Sequence, residues 1–315
     1  MIAFDEQDPV LAPYRVPWEL PTANYVHHHE GHNFPKKQHS LDEIVPKLNE
    51  ITSRYWVAFD FDGVLCDSAK ETAVTAFMAG KDIFPESDGK KWPSSELIED
   101  FKKVRPLLES GFEALVLIYR LVCLNETPEQ MLSSSTPLQD MESALTKMKV
   151  TKDELKHRFQ ITREAWIAED CEGWLQENQF YQATLAALKN LISKGISVYI
   201  ITTKHSSFAN NLLRNNGVEL DQGRIFGLGS GKKGEVLAKL AKETEAKLGG
   251  ECIFIEDRLE TLNEVNETVN MPIDLVLAGY GYNTAIEREN ARKQGFQVFK
   301  TDEDLSRWLD ELSQQ

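Results

Sequence analysis

The sequence has few cysteines and no long apolar run. Its four cysteines, Cys66, Cys123, Cys171 and Cys252, are far apart in a chain of 315 residues and form no C-x-x-C pair. Zinc ribbons and thioredoxin-type redox sites are therefore not indicated, and we expect reduced thiols. The longest apolar run, near residues 114–119, is far shorter than the roughly 20 residues that a membrane-spanning helix needs.

The chain also has too little positive charge for a general nucleic-acid-binding protein. It has 35 lysine and arginine residues against 50 aspartate and glutamate residues, which gives a net charge of −15. Such a surface repels phosphate backbones, although a local basic pocket for a small anion remains compatible with it. The N-terminus is acidic and lacks the basic segment of a signal peptide. We therefore expect a cytoplasmic protein that binds neither nucleic acid nor membrane.

The first fifty residues differ from the rest of the chain. They contain six of the twelve prolines and five of the seven histidines. Four of these histidines are close together, at His27, His28, His29 and His32. Because proline lacks an amide hydrogen and blocks regular helix, we expect an extended N-terminal extension over residues 1–50. Neighbouring side chains of an extended chain point in different directions, which favours loop residues over a metal site for these histidines.

From residue 51 onward, short apolar runs alternate with helical segments. We expect strands at Tyr55–Asp60, Ser197–Thr202, Arg224–Leu228, Cys252–Glu256, Asp274–Ala278 and Phe296–Phe299. We expect helices at Ser206–Asn215, Lys233–Lys247, Leu259–Thr268 and Thr284–Lys293. The alternation predicts an α/β fold with a parallel sheet, built from residues 51–68 and 185–315.

A helical segment, residues 69–184, interrupts this pattern after its first strand. Helical patterns occur at Ser95–Lys103, Pro106–Leu124, Thr151–Glu169 and Tyr181–Lys194. We identify no strand between Asp67 and Gln182. The sequence therefore predicts a helical domain inserted into the α/β core.

The segment from Asp60 to Ser68, DFDGVLCDS, directly follows the first predicted strand. It resembles motif I of the haloacid dehalogenase (HAD) superfamily, D-x-D-G-x-L-x-D-S, at every fixed position. The resemblance covers about residues 55–68 and 185–300 and implies a Rossmann-like core with a helical cap of the C1 type. Such a cap closes over the active site and suits small-molecule substrates.

The two aspartates that open this motif have the residue type and spacing for phosphoryl transfer. In an open α/β sheet, ligands bind beyond the carboxyl ends of the strands, where Asp60 lies. There its carboxylate can attack phosphorus and form an aspartyl-phosphate, while Asp62 acts first as general acid and then as base. Two close carboxylates need a cation, and Mg²⁺ prefers oxygen ligands. The resemblance implies the Asp60 carboxylate and the Asp62 backbone carbonyl as Mg²⁺ ligands.

Motifs II and III of the superfamily have counterparts in the expected order. Thr202 ends the second core strand, and its hydroxyl would bind a phosphoryl oxygen. Thr203 and Lys204 follow it and are candidate substrate-binding residues. Lys232 and Lys233 precede a predicted helix, and one of them would neutralise the nucleophile and the phosphoryl group. Both lysines stay candidates, with Lys233 preferred.

Motif IV is a strand that ends in an acidic pair, here Glu256 and Asp257. The resemblance implies that Asp257 completes the Mg²⁺ site and that Glu256 is an outer or alternative ligand. The chain departs from the commonest form of the motif, because Glu256 replaces glycine and Thr261 stands where a second aspartate is often found. The identity of the fourth acidic group therefore stays open.

The helical cap is expected to supply substrate contacts. Arg105, Arg120 and Arg163 are candidates for binding a carboxylate or a second phosphate of the substrate. The competing interpretation of each arginine is an ordinary surface residue or a partner in a structural salt bridge.

These observations predict a Mg²⁺-dependent phosphohydrolase that acts on a small phosphorylated metabolite. A phosphomutase of the β-phosphoglucomutase type shares the four motifs and is the nearest alternative. A binding or regulatory protein that keeps the fold without useful turnover is an alternative of another class, and the intact pair of Asp60 and Asp62 argues against it. The sequence leaves the substrate and the oligomeric state open.

Overall fold

A computed structural model describes residues 55–84, 90–245, 251–269 and 272–314. The predicted N-terminal extension, residues 1–50, lies outside these residues. The strands are β1 (Tyr55–Phe59), β2 (Cys66–Asp67), β3 (Gln179–Phe180), β4 (Val198–Ile201), β5 (Ile225–Phe226), β6 (Glu251–Glu256), β7 (Ile273–Ala278) and β8 (Gln297–Phe299). Six of them form a parallel sheet in the order β5-β4-β1-β6-β7-β8. The predicted α/β fold is therefore confirmed, with all six predicted strands present.

Strand β1 lies at the centre of the sheet, between β4 and β6, and is buried on both faces. Its side chains alternate between two apolar layers, as the pleat of a strand requires. Val57 and Phe59 join the layer on one face, whereas Trp56 and Ala58 join the layer on the other. A central strand with no polar face explains the uninterrupted apolar run that the sequence shows there.

The helices between β2 and β3 form the helical insert, residues 68–178. They are α1 (Ala69–Ala79), α2 (Ser95–Val104), α3 (Ala114–Val122), α4 (Pro128–Leu132), α5 (Pro137–Met148), α6 (Lys152–Glu169) and α7 (Cys171–Gln176). Buried residues of α1, α2, α3, α5 and α6 share an apolar cluster that is distinct from both layers of the sheet. The insert thus has its own core.

The remaining helices pack on the two faces of the sheet. They are α8 (Gln182–Ser193), α9 (Ser206–Asn215), α10 (Lys233–Glu245), α11 (Leu259–Thr268), α12 (Ala285–Lys293) and α13 (Asp302–Leu312). Helices α8, α9 and α13 contribute buried residues to one layer, and α10, α11 and α12 to the other. None of the helices in the described ranges has both the length and the apolar character needed to cross a membrane.

Two predictions within the insert are wrong. The single helix expected over Pro106–Leu124 is instead a 3-10 turn at Arg105–Leu107, a second turn at Gly111–Glu113 and then α3. The backbone becomes extended at Leu108 and Ser110, and the side chain of Glu113 binds the backbone N–H of Ser110, which starts a new helix.

The second wrong prediction is that no strand lies between Asp67 and Gln182. Gln179 and Phe180 form β3, which pairs antiparallel with β2 and closes the base of the insert. Two residues are too few to give a readable alternation.

The predicted boundary between insert and core, at residue 184, falls inside α8, and this helix packs on the core against α13.

A buried ion pair joins three helices of the insert. Glu71 of α1 is fully buried, and Arg163 of α6 donates to both of its carboxylate oxygens at 2.8 Å. Thr75 Oγ1 and Trp174 Nε1 also donate to Glu71 Oε1, so the carboxylate is surrounded by donors. Burial alone would raise the pKa of Glu71, but the charge and hydrogen bonds of Arg163 lower it to about 2.

Removal of Arg163 should therefore destabilise the protein strongly. Arg163→Met leaves the Glu71 carboxylate buried without a cation, and we expect the free energy of unfolding to fall by about 3–5 kcal/mol in urea denaturation. Arg158→Met on the same helix is the control. Arg158 pairs with Asp82 and Glu154 at the surface, so its loss should cost at most about 1 kcal/mol. Equal losses in the two variants would contradict this interpretation.

The same pair should make stability depend on pH. Because the pKa of Glu71 is about 2 against an ordinary value of 4.5, its ionised form stabilises the fold above pH 4.5, and this contribution is lost as the pH falls toward 2. We expect the stability difference between wild type and Glu71→Gln to shrink over that interval. Denaturant titrations at several pH values measure it, and a difference that stays constant would show that Glu71 is not ionised in the fold.

Candidate active site

Neighbouring strands of the sheet end in polar residues at one edge. Asp60 follows β1, Thr202 follows β4, and β6 ends with Glu256 followed by Asp257. These four residues are between 0 and 6% exposed. Because β1 lies between β4 and β6, the sheet brings their side chains together at the carboxyl ends of the strands, where α/β proteins bind ligands.

Three of the acidic side chains form a compact cluster. Carboxylate oxygens of Asp60, Glu256 and Asp257 lie within 4.8 Å of one another. Burial and the charge of Glu256 raise the pKa of Asp60 to about 7. Burial and the charges of Glu256 and Asp60 raise the pKa of Asp257 well above its ordinary value. A buried cluster of hard oxygen donors with excess negative charge is suited to a divalent cation.

Lys233 is the cation that the fold supplies to this cluster. Its Nζ lies 2.8 Å from Asp60 Oδ1 and 2.6 Å from Glu256 Oε2. Although burial lowers the pKa of Lys233, the charges of Asp60 and Glu256 outweigh it and raise that pKa. Lys232, the other candidate, points outward to Glu264 at 2.7 Å and is mostly exposed. The structure thus brings Lys233, and not Lys232, to the acidic cluster.

Asp62 lies beside the cluster and pairs with a different lysine. Its Oδ1 is 3.1 Å from Nζ of Lys204, which is almost fully buried. Lys204 is held in turn by its backbone N–H, which donates to Thr202 Oγ1 at 3.1 Å. Thr203 between them is exposed. Lys204 therefore neutralises Asp62 and fixes the direction of its side chain.

Two glycine-containing loops surround Asp257 at the end of β6. Gly63 has a φ of +85°, and a Cβ there would collide with the Asp257 carboxylate. A Cβ on Gly281, in the loop after β7, would collide with the carbonyl oxygen of Gly63. These contacts place the backbone of both loops against Asp257, which no larger residue would permit.

The loop after β7 supplies site residues that the sequence analysis missed. The backbone N–H of Tyr282 donates to Asp257 Oδ2 at 2.7 Å, and Asn283 Nδ2 donates to the Asp257 carbonyl at 2.9 Å. The Tyr282 hydroxyl donates to Asp67 Oδ1 and accepts from the N–H of Ser68. The signal available in the sequence was the segment GYGYN, which follows a predicted strand whose end faces the same edge of the sheet.

The helical insert contacts the core beside this loop. Arg258, the residue after Asp257, donates from Nη1 to the carbonyl of Leu108 at 3.0 Å. The guanidinium of Arg105 lies 4.1 Å from the centre of the Tyr282 ring. The turn between α2 and α3 thus lies directly over the residues that hold Asp257.

The two other arginine candidates of the insert are engaged elsewhere. Arg163 is bonded to Glu71 through both carboxylate oxygens. Arg120 is buried and pairs with Glu126 at 2.6 Å and Asp140 at 3.3 Å, in the wall of a cavity of about 430 Å³ within the insert. None of the residues that line this cavity belongs to the acidic cluster.

Known protein families and solved structures include proteins similar to this chain. The family model for haloacid dehalogenase-like hydrolases matches residues 56–262. Among solved structures, a "predicted phosphoglycolate phosphatase" from Haemophilus somnus 129PT is 18% identical and aligns over 81% of this chain and 97% of its own, with a TM-score of 0.50. A "putative phosphatase" from Clostridium difficile is 17% identical and aligns over 81% and 98%, with a TM-score of 0.52. A search of curated proteins finds no match.

At these identities the solved structures show a shared fold and no more. The family model carries the assignment, because it matches more than half of the chain and spans the strands that hold Asp60, Thr202 and Asp257. The chain belongs to the haloacid dehalogenase-like hydrolases.

Proposed function

We propose that the protein is a Mg²⁺-dependent phosphatase that hydrolyses a small phosphate monoester through an aspartyl-phosphate on Asp60. The observation that supports this most directly is the position of Lys233, which bridges Asp60 and Glu256 beside Asp257. A carboxylate at the end of a central strand, next to a buried ammonium and a further acid, has what a nucleophile toward phosphorus requires.

In the first step, a carboxylate oxygen of Asp60 attacks phosphorus and the bond from phosphorus to the ester oxygen breaks. Asp62 gives its proton to the leaving oxygen, so the alcohol departs neutral. Lys233 and the Thr202 hydroxyl stabilise the charge on the transferring phosphoryl oxygens. The products of this step are the alcohol and the aspartyl-phosphate.

In the second step, Asp62 takes a proton from water, and the water oxygen attacks phosphorus. The bond from phosphorus to the Asp60 oxygen breaks, which releases inorganic phosphate and regenerates both carboxyl groups. Lys204 supports both steps because it holds the Asp62 side chain at the reaction centre.

The acidic cluster fits Mg²⁺ in its donor chemistry. Asp60 and Asp257 would hold the ion through carboxylate oxygens, together with the backbone carbonyl of Asp62. Both oxygens of Glu256 are already engaged, one by Lys233 and the other by the N–H groups of Asp257 and Arg258. We therefore assign Glu256 to the orientation of Lys233. When bound, Mg²⁺ offsets the repulsion between the carboxylates and the phosphate.

Substitution of the nucleophile tests the proposal directly. Asp60→Asn keeps the shape of the side chain but removes the attacking carboxylate, and we expect Mg²⁺-dependent phosphate release to fall at least about a thousandfold. Release is measured over a panel of phosphate monoesters, with Mg²⁺ and with a chelator. Asp221→Asn, at an exposed surface position, should leave the rate unchanged.

Two outcomes would overturn the proposal. The first is no phosphate release from any ester by the wild-type protein with Mg²⁺, and the second is full activity of Asp60→Asn. Transfer of the phosphoryl group to a second hydroxyl of the substrate, in place of release, would identify a phosphomutase.

The adjacent lysines provide a matched pair of variants. Lys233→Met removes the ammonium between Asp60 and Glu256, and we expect kcat to fall about 100- to 1,000-fold. Lys232→Met, one residue away, removes only a surface pair with Glu264 and should keep wild-type activity. Circular dichroism checks that both variants fold. Equal activity of the two folded variants would exclude Lys233 from the reaction.

A further inference from the structure

Four cations of the core and the insert have carboxylate partners. Lys233 pairs with Asp60 and Glu256, and Lys204 pairs with Asp62. Arg258 pairs with Glu260 and Arg163 with Glu71. The positive charge of these four side chains is therefore already balanced within the protein.

Arg105 is different. Within the described ranges, its side chain donates no hydrogen bond and forms no ion pair, and its Nε is buried without a partner. Its one contact with an aromatic ring is the stack on Tyr282 at 4.1 Å. A guanidinium partly withdrawn from water without an anion is costly, so binding of an anion to Arg105 would be favourable.

The position of Arg105 connects it to the reaction centre. The Tyr282 ring beneath it is held at both ends, because its hydroxyl binds Asp67 and its backbone N–H binds Asp257. Arg105 thus lies on the insert, one aromatic residue away from a carboxylate of the cluster.

The chemistry of the stacked guanidinium defines what it can bind. Stacking on the flat face of Tyr282 leaves the N–H groups at the edge of the guanidinium plane free to donate. Two parallel N–H donors match the two oxygens of a carboxylate or of a phosphate. Because the insert and core approach each other closely here, through Arg258 and Leu108, the ligand must be small.

We propose that Arg105 is a specificity-determining residue that binds a second anionic group of the substrate, at the end opposite to the phosphate that is cleaved. The substrate class is then a small phosphate monoester that also carries a carboxylate or a second phosphate. This inference rests on the proposed phosphatase function and narrows its substrate.

Matched pairs of esters test the inference on the full-length protein with Mg²⁺. The first pair is 2-phosphoglycolate and 2-hydroxyethyl phosphate, which differ only in the carboxylate. The second pair is the bisphosphate and the monophosphate of propane-1,3-diol. We expect wild-type kcat/KM to be at least about tenfold higher for the anionic member of one pair, and the preferred pair identifies the anion as carboxylate or phosphate.

Variants of Arg105 test whether this residue causes the preference for the anionic ester. Arg105→Met should lower kcat/KM for the preferred anionic ester about 10- to 100-fold, mainly through KM, and leave its neutral partner within about threefold. Arg105→Lys should recover part of the loss. Arg158→Met, a surface arginine of the same insert, is the control and should not change the preference.

Different results would overturn the inference and the function separately. If the wild-type protein hydrolyses the neutral esters as well as the anionic ones, or if Arg105→Met lowers both members of a pair equally, Arg105 does not bind a second anion, yet the phosphatase function stands. If the wild-type protein hydrolyses none of the four esters nor any other monoester, the proposed function fails with it. The wild-type comparison tests the substrate class even where Arg105→Met does not fold, and Arg105→Lys then tests the role of the residue.

Discussion

Concentrated negative charge at the end of the central strand is the constraint on which the site depends. Asp60, Glu256 and Asp257 are buried together, and water cannot screen their repulsion. The fold places a single ammonium, that of Lys233, between two of them and surrounds Asp257 with donors from the loop after β7. Such an arrangement favours the binding of a divalent cation, whose positive charge offsets this repulsion and, in the proposed reaction, that of the incoming phosphate ester.

The parts of the fold that the sequence predicted well are those with strong periodicity or a complete motif. The strands of the core are short apolar runs, and each lies where it was expected. Five helices of the described residues escaped prediction, and two of them, α5 and α13, are long enough to show an amphipathic pattern that was not used. Helix α1 is buried on nearly all sides and so lacks an amphipathic pattern, while α4 and α7 are too short to show one.

The residues of the candidate site also divide into those that the sequence could place and those that it could not. Asp60, Thr202 and Asp257 could be placed because each ends a readable strand. The choice between Lys232 and Lys233 could not be made, because adjacent residues at a helix start differ only in direction, which tertiary packing decides. Tyr282 could not be predicted from the sequence. It binds Asp257 through its backbone N–H, which every residue type except proline has, and it binds Asp67 through its hydroxyl, across more than two hundred residues of sequence.

That last contact has a consequence for how the molecule is assembled. The loop from Asp60 to Ser68 is held by Tyr282, which binds Asp67 and Ser68, and by Tyr280, whose hydroxyl donates to the carbonyl of Val64. These partners lie 214 to 216 residues further along the chain. During synthesis, the segment with the nucleophile leaves the ribosome early but can take its final form only after β7 and its loop have followed. Catalytic competence is therefore acquired late, when the fold is nearly complete.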